Sequence, residues 1–333
     1  MQNIQSVGVI GAGSWGTALA IHLARNGLDV ALWGNEPKVT QAMRQSRYNA
    51  RYLPEIKLPP NLSPVDYILD LANRELILIA VPSHAFRPVL ENLKRTLNNV
   101  RAIVWASKGF EAPQRLLHQV VEEIYPSGVE YAVLSGPTFA LEVARALPTA
   151  VTIASPSPEF ATRIAHCLHN DHFRAYTSTD VIGVEVGGAV KNILAIGAGI
   201  ADGLGFGANT RAALITRGLT EIIRLGLALG AETETFMGLT GLGDLVLTCT
   251  DNLSRNRRFG IAIAQGQTQA QALKSIGQVV EGIQTAKAVH ELAQKLGIEM
   301  PITEQVFQVL YEEKAPRDAV SELFLRELKP EYL

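Results

Sequence analysis

Three glycines, two lysines and a basic helix start are the residues here whose types and spacing could do chemistry. Gly11-Ala12-Gly13-Ser14-Trp15-Gly16 spells GxGxxG. In that pattern Gly11 permits a tight turn from strand to helix, Gly13 lets a pyrophosphate approach the backbone, and Gly16 lets the helix sit close to the strand. The free N–H groups and positive dipole end of the helix then hold phosphate oxygens. Lys191 interrupts the small, apolar run Val186-Gly187-Gly188-Ala189-Val190 to Ile193-Leu194-Ala195-Ile196. A lysine there is disfavoured unless it is paired or serves a ligand; the alternative is that its ammonium snorkels to water. Ser254-Arg255-Asn256-Arg257-Arg258 puts several donors at a helix start, suited to a small phosphate through charge-assisted bonds, or else forms an exposed basic turn. Ser107-Lys108-Gly109, Ser135-Gly136-Pro137-Thr138-Phe139-Ala140 and Gly241-Leu242-Gly243-Asp244-Leu245 are further polar clusters beside glycines.

A GxGxxG among 28 glycines arises easily by chance, so its flanks decide its meaning. Val7-Gly8-Val9-Ile10 reads as a buried strand before it, and Thr17 to Ala24 as an apolar helix after it. Gly27 ends that helix, and Leu28 to Trp33 reads as a second strand, finishing about 20 residues after the glycine turn, where an NAD enzyme usually carries an acidic residue for the ribose. Here the tip is Gly34-Asn35-Glu36, with the carboxylate displaced beyond it. Arg44, Arg47 and Arg51 could pair with a 2'-phosphate or form a solvated helix face and loop. The choice between NAD and NADP stays open.

Strand-like apolar segments recur at Glu75 to Val81, Ala102 to Ala106, Tyr131 to Leu134, Ala150 to Ala154 and Phe173 to Tyr176. They predict an α/β Rossmann domain with a doubly wound, mostly parallel sheet and a ligand at the carboxyl ends of its strands. Past about residue 180, helical periodicity takes over through Val186 to Ala201, Thr210 to Leu229, Arg257 to Ile263, Thr285 to Leu296 and Thr303 to Tyr311. The expectation is a dinucleotide-binding domain over 1–180 and an all-α domain over 181–333, with Ser178-Thr179-Asp180 capping the first helix of the second. Gly197-Ala198-Gly199 and Gly203-Leu204-Gly205-Phe206-Gly207 lack a preceding strand, so close backbone approach or a bend is the better reading than a second phosphate loop.

With 333 residues and 47% hydrophobic content the chain can bury a large core. A formal net charge of -2 gives no general reason to expect nucleic-acid or membrane binding. Apolar runs such as Leu76 to Val81 are far too short to span a bilayer, and no membrane insertion is expected. Cys167 and Cys249 lack metal-like or CxxC spacing and read as packing residues in a reducing, cytoplasmic setting; the first strand begins too early to leave room for a cleaved signal peptide. His84, His118 and His290 form no ligand pattern, so no metal is expected.

Taken together, the motifs resemble the bacterial-type NAD(P)-dependent glycerol-3-phosphate dehydrogenases, over almost the whole chain. Ala189-Val190-Lys191-Asn192 and Val279-Val280-Glu281-Gly282 complete the matching set. The resemblance implies interconversion of dihydroxyacetone phosphate and sn-glycerol 3-phosphate for glycerophospholipid synthesis, catalysis between a Rossmann and a helical domain, and a homodimer. By the same resemblance Ser14, Trp15, Asn35, Ala140, Val279 and Glu281 would contact the cofactor. Lys108 would touch cofactor and substrate, and Gly136 and Thr138 the substrate. Lys191 would be the acid/base, assisted by Asp244. Ser254, Arg255 and Asn256 would bind the glycerol phosphate, Arg255 reaching the cofactor too. 3-Hydroxyacyl-CoA and 6-phosphogluconate dehydrogenases share the layout, but the former use a His–Glu pair with no legible counterpart here. A nucleotide sensor would need no proton donor.

Overall fold

The computed structural model describes residues 4–126, 128–327 and 331. Strand β1 (Ser6–Ile10) passes through the glycine turn into α1 (Ser14–Arg25) and returns as β2 (Asp29–Trp33), parallel to β1. Every α1 residue from Gly16 to Ala24 is buried, as the apolar run demands. Helix α2 (Pro37–Ser46), the hairpin β3 (Tyr48–Asn49) and β4 (Leu53–Lys57), and strand β5 (Leu62–Val65) follow. Next come β6 (Leu76–Ile79), α3 (Ser83–Thr96), β7 (Ala102–Trp105), α4 (Leu117–Ile124) and β8 (Glu130–Ser135). Helix α5 (Ala140–Ala144), β9 (Thr149–Ala154), α6 (Pro158–Leu168) and β10 (Phe173–Ser178) close this half.

The main sheet has eight strands in the order β10-β9-β8-β7-β6-β1-β2-β5. The central runs Leu76 to Ile79 and Ala102 to Trp105 are wholly buried, because helices cover both faces. The mostly parallel sheet is present, with one qualification: β9 runs antiparallel to β8, and β10 follows β9. Those last two strands therefore direct their carboxyl ends away from the edge where β1 and β6 to β8 end. Strand β5, which apolar patterning does not reveal, contains Pro64 and lies at the sheet edge, where a missing N–H is tolerated.

The helical half starts with α7 (Val181–Gly203), whose N-terminus Asp180 caps by accepting the Gly183 N–H at 2.8 Å. Around it stand α8 (Ala208–Ala228), α9 (Thr233–Met237), a π-type turn at Leu239–Gly243, α10 (Asp244–Thr250) and α11 (Arg255–Ala264). Helices α12 (Gln269–Ile276), α13 (Glu281–Leu296), α14 (Pro301–Tyr311) and α15 (Pro316–Phe324) complete it. Helix α7 is buried along nearly its whole length and is the axis of this domain. Its backbone nearly touches that of α11: a Cβ on Gly199 would stand 2.0 Å from the Arg257 carbonyl oxygen. Close approach, and not a phosphate loop, is thus the role of this glycine.

The expectation drawn from short strands overlooked α7 in one respect. It has 23 residues and is apolar enough to cross a membrane by length and composition, yet 94% of its most apolar window is buried inside the protein. The other helices provide that cover.

Candidate active site

The carboxyl ends of β1, β2, β6 and β7 and the helical half together border a cleft of about 940 Å³. The glycine turn forms one wall. Gly11 adopts φ +115°, and a Cβ there would collide with the Ala80 carbonyl oxygen at 2.4 Å. Gly16 is required by the turn itself, since its Cβ would lie 1.8 Å from the Gly11 oxygen. Gly13 differs: an added Cβ meets no protein atom within 4 Å, so the backbone is open on that side. No side chain caps α1 at Gly13, and the Trp15 indole N–H is buried without an acceptor. An open backbone, an uncapped helix N-terminus and an orphaned donor fit a dinucleotide pyrophosphate here.

Asn49, which sequence reading did not single out, braces this turn. Its side-chain amide donates to the Ala12 oxygen at 2.9 Å and to Thr17 Oγ1 at 2.8 Å, and it is fully buried. Ser14 Oγ donates to the Tyr52 carbonyl oxygen at 2.9 Å, tying α1 to the loop before β4. At the tip of β2, Asn35 is exposed, while Glu36 binds both Arg51 and the Tyr52 hydroxyl. Of the three arginines noted in the sequence, Arg51 alone lines the cleft. Arg44 pairs with Asp66, and Arg47 donates to the Leu58 and Pro59 carbonyl oxygens.

Lys191 and Asp244 form a buried ion pair, and Lys191 also donates to Thr248 Oγ1 at 2.8 Å. Lys108 reaches the second oxygen of the same carboxylate at 2.7 Å and the Gly136 carbonyl oxygen at 3.2 Å. Burial pushes the Lys191 ammonium down from 10.5 to about 7; Asp244 opposes that shift, and the charge of Lys108 adds to it. The lysine is therefore paired and not snorkelling. Thr248 escaped the sequence reading, although its position one turn after Asp244 places both on one face of α10.

Helix α11 begins at Arg255 with Ser254 as cap, its Oγ accepting the Arg257 N–H at 3.2 Å. The basic cluster divides there. Arg255 lines the cleft, whereas Arg257 turns away to donate to Asp202 at 2.9 and 2.6 Å. Burial lowers the Arg255 pKa, partly opposed by the charge of Glu281. Asn256 links three helices: it donates to Asn192 Oδ1 at 2.9 Å and accepts the Gly282 N–H at 2.9 Å. Glu281 accepts from Ser83 Oγ, at the start of α3, at 3.4 Å, and burial raises its carboxyl to about 7.

The cleft collects Gly11, Gly13, Ser14, Trp15, Asn35, Lys108, Thr138, Ala140, Lys191, Asp244, Ser254, Arg255, Asn256, Val279 and Glu281. Of the residues expected to bind cofactor or substrate through the glycine motif or the resemblance, two do not line it. Gly16 is enclosed within the turn, and Gly136 presents its carbonyl to Lys108 from behind, at φ +149°. Two His–Glu pairs exist among the described residues, His118–Glu185 and His290–Glu304, and neither lines the cleft. Spatial pairing across 67 residues of chain hid the first of them from the sequence.

A Rossmann-type sheet joined to a helical domain, with a phosphate-ready turn facing a buried lysine, defines a dinucleotide-dependent oxidoreductase. Residues 6–161 and 180–321 match the N-terminal and C-terminal family profiles of NAD-dependent glycerol-3-phosphate dehydrogenase, and the chain belongs to that family. It is 56% identical over 333 residues to glycerol-3-phosphate dehydrogenase [NAD(P)+] of Nitrosococcus oceani, covering 99% of this chain and 96% of that one. The corresponding enzyme of Thioalkalivibrio sulfidiphilus is 54% identical over 98% of each chain. The crystal structure of glycerol-3-phosphate dehydrogenase from Coxiella burnetii superimposes with a TM-score of 0.93 at 48% identity, covering 97% of this chain and 99% of that one.

Proposed function

We propose that this chain catalyses the reversible reduction of dihydroxyacetone phosphate to sn-glycerol 3-phosphate with NADH or NADPH, for glycerophospholipid synthesis. The observation that carries the reading is a buried lysine, held by one carboxylate, in the same cleft as an open glycine turn and a basic helix start. The bound nicotinamide supplies hydride to the ketone carbon or accepts it from the alcohol. The chain's own residues handle charge and protons.

In reduction, negative charge grows on the carbonyl oxygen, and the Lys191 ammonium stabilises it and donates a proton, leaving a neutral amine. Oxidation runs the same transfer backwards, the neutral amine taking the hydroxyl proton. A lysine at its ordinary pKa would rarely be neutral; burial and the neighbouring Lys108 cation bring both states within reach, while Asp244 orients the amine and limits the depression. Arg255, Ser254 and Asn256 bind the phosphate of the substrate at the start of α11, and Thr138 and the Gly136 segment border its other end. Trp15, Ser14, Asn35, Ala140, Val279 and Glu281 embrace the cofactor. The dinucleotide domain spans 1–180 and the substrate domain 181–333, with dimerisation through the latter.

The test follows NADH and NADPH absorbance with dihydroxyacetone phosphate, with acetoacetyl-CoA, and without a ketone. Loss of signal with the first alone is expected. Turnover of acetoacetyl-CoA would support a hydroxyacyl-CoA enzyme, and no turnover with either ketone a nucleotide sensor.

A further inference from the structure

The two halves of the protein exchange side chains where they meet. Phe110 and Leu116, on the segment that leads from Lys108 to α4, are buried in the core of the helical half with Val186, Ala189 and Val190 of α7. In return Val181 and Val184, in the first turns of α7, belong to a core that includes Ile77 and Ile103 of the sheet and Val120 and Val121 of α4. Glu185 stands between Val184 and Val186, at this crossing, and only 2% of its side chain is exposed. A carboxylate so placed is tolerated when both of its oxygens are bonded. Oε1 accepts the His118 backbone N–H at 3.0 Å, and Oε2 meets His118 Nδ1 at 2.5 Å. His118 is the second residue of α4, where a helix leaves N–H groups unpaired, and the capping position is Leu116, whose side chain has no acceptor. Glu185 therefore caps a helix of the other half. A second joint holds the same segment: Gln114 Nε2 donates to Glu291 Oε2 of α13 at 2.9 Å.

We propose that Glu185 is a positioning residue: it locks the segment carrying Lys108 to the helix carrying Lys191, so that both ammonium groups reach the one carboxylate of Asp244. The kinetic consequence rests on the dehydrogenase reading above. Lys108 follows β7, so the sheet fixes its backbone on one side. On the other side Phe110, Gln114 and His118 fix it, each held by the helical half. Lys191 follows Glu185 on the same rigid helix, so a hold on one is a hold on the other. Neither Glu185 nor His118 lines the cleft, and the pair acts only through the two lysines. Asp244 and Lys108 are the charges that act on the Lys191 ammonium, the first raising its pKa and the second lowering it. The buried Cys249 thiol near it is pushed up to about 12 and carries no charge. Withdrawing Lys108 removes a repulsion and leaves Asp244 to Lys191 alone, so Lys191 should keep its proton to higher pH.

The test reads the titration of Lys191 without turnover, by competitive labelling with a trace of acetic anhydride as pH is varied, beside kcat and KM for dihydroxyacetone phosphate. Glu185→Ala should raise the labelling midpoint by about half a pH unit or more and lower kcat several-fold, with NADH affinity unchanged. Glu185→Gln keeps an oxygen for the His118 N–H and offers an amide to Nδ1, and should bring both readings back towards those of the unmodified protein. Gln114→Ala breaks the second, partly buried joint and should move the midpoint the same way, which keeps the test open if Glu185→Ala does not fold. The deciding comparison starts from Lys108→Met. With that ammonium gone, the Glu185 or Gln114 change should add less than about 0.2 pH unit, because the two substitutions act by one route. A midpoint unmoved by either joint variant, or an equal further shift on the Lys108→Met background, would overturn the inference and leave Glu185 a residue of stability alone. If the unmodified protein reduces no dihydroxyacetone phosphate, the enzymatic reading fails, while the labelling midpoints still decide whether Glu185 sets the place of Lys108.

Discussion

Lys108 and Lys191 share the two oxygens of one carboxylate. Lys108 enters from the loop after β7 and Lys191 from the middle of α7, and both end on Asp244 at the head of α10. Asp244 is fully buried, so it cannot dilute its charge into water, and the two ammonium groups stabilise it while opposing each other. Two ammonium groups on one carboxylate leave an excess of positive charge when both are protonated, and under the proposed reaction that excess would polarise a ketone.

Substituting Lys191→Met removes the proposed proton donor and keeps a comparable apolar stem. Dinucleotide binding should persist, and kcat for reduction should fall by roughly 10²-fold or more, the usual scale of a lost general acid. Stopped-flow single turnovers would check it; near-normal turnover would eliminate the assigned role.

The two directions should respond oppositely to pH. With the Lys191 pKa lowered to about 7, reduction requires the protonated form and should decline as pH rises through that value. Oxidation requires the neutral form and should rise over the same range. Initial rates in both directions from pH 5.5 to 9, in buffers of constant ionic strength, would show whether the limbs cross near neutrality.

Asp244→Asn leaves the buried Lys191 ammonium and the partly buried Lys108 ammonium facing each other without a counter-ion. The pKa of Lys191 should drop further, shifting the oxidative limb to lower pH, and stability should fall by about 3–5 kcal/mol, as when one member of a buried pair is deleted. Urea denaturation alongside the pH profile separates the two effects. An unshifted profile would show that Asp244 does not govern the lysine.

Arg255 lines the cleft at the first turn of α11, while neighbouring Arg257 is committed to Asp202. Arg255→Ala should raise KM for dihydroxyacetone phosphate about tenfold or more, with a smaller change in kcat, the mark of lost binding and not of lost chemistry. Unchanged KM would argue against a phosphate contact.

Two glycines of one motif should fail in different ways. A Cβ at Gly16 would overlap the Gly11 oxygen, so Gly16→Ala should lower the melting temperature; at Gly13 it meets no protein atom within 4 Å, and φ there is an ordinary -73°. Gly13→Ala should keep its fold and lose dinucleotide affinity, because the methyl fills the space the pyrophosphate needs. Thermal melts with and without NADH distinguish them, and equal destabilisation in the absence of cofactor would contradict the contrast.

Local patterning was enough for the strand, glycine turn and helix at the start of the chain. There the signals are short-range: apolar runs for buried strands, glycines for a turn with no room for a side chain, and an apolar helix behind them. The isolated Lys191 within α7 was visible for the same reason, as a charge in an apolar run that needed a partner. The resemblance named Asp244 as its helper, but that Lys108 shares the same carboxylate only folding decided. Asp244 lies 53 residues from Lys191 and 136 from Lys108, and nothing in chain spacing ties three groups from three elements to one point. The reversed β9, the edge strand β5 with its proline, the His118–Glu185 pair and the Glu36–Arg51–Tyr52 cluster belong to the same class. Each depends on which segments lie side by side, a property of tertiary packing, whereas the sequence by itself determined the local backbone and the places where a charge or a glycine demanded an explanation.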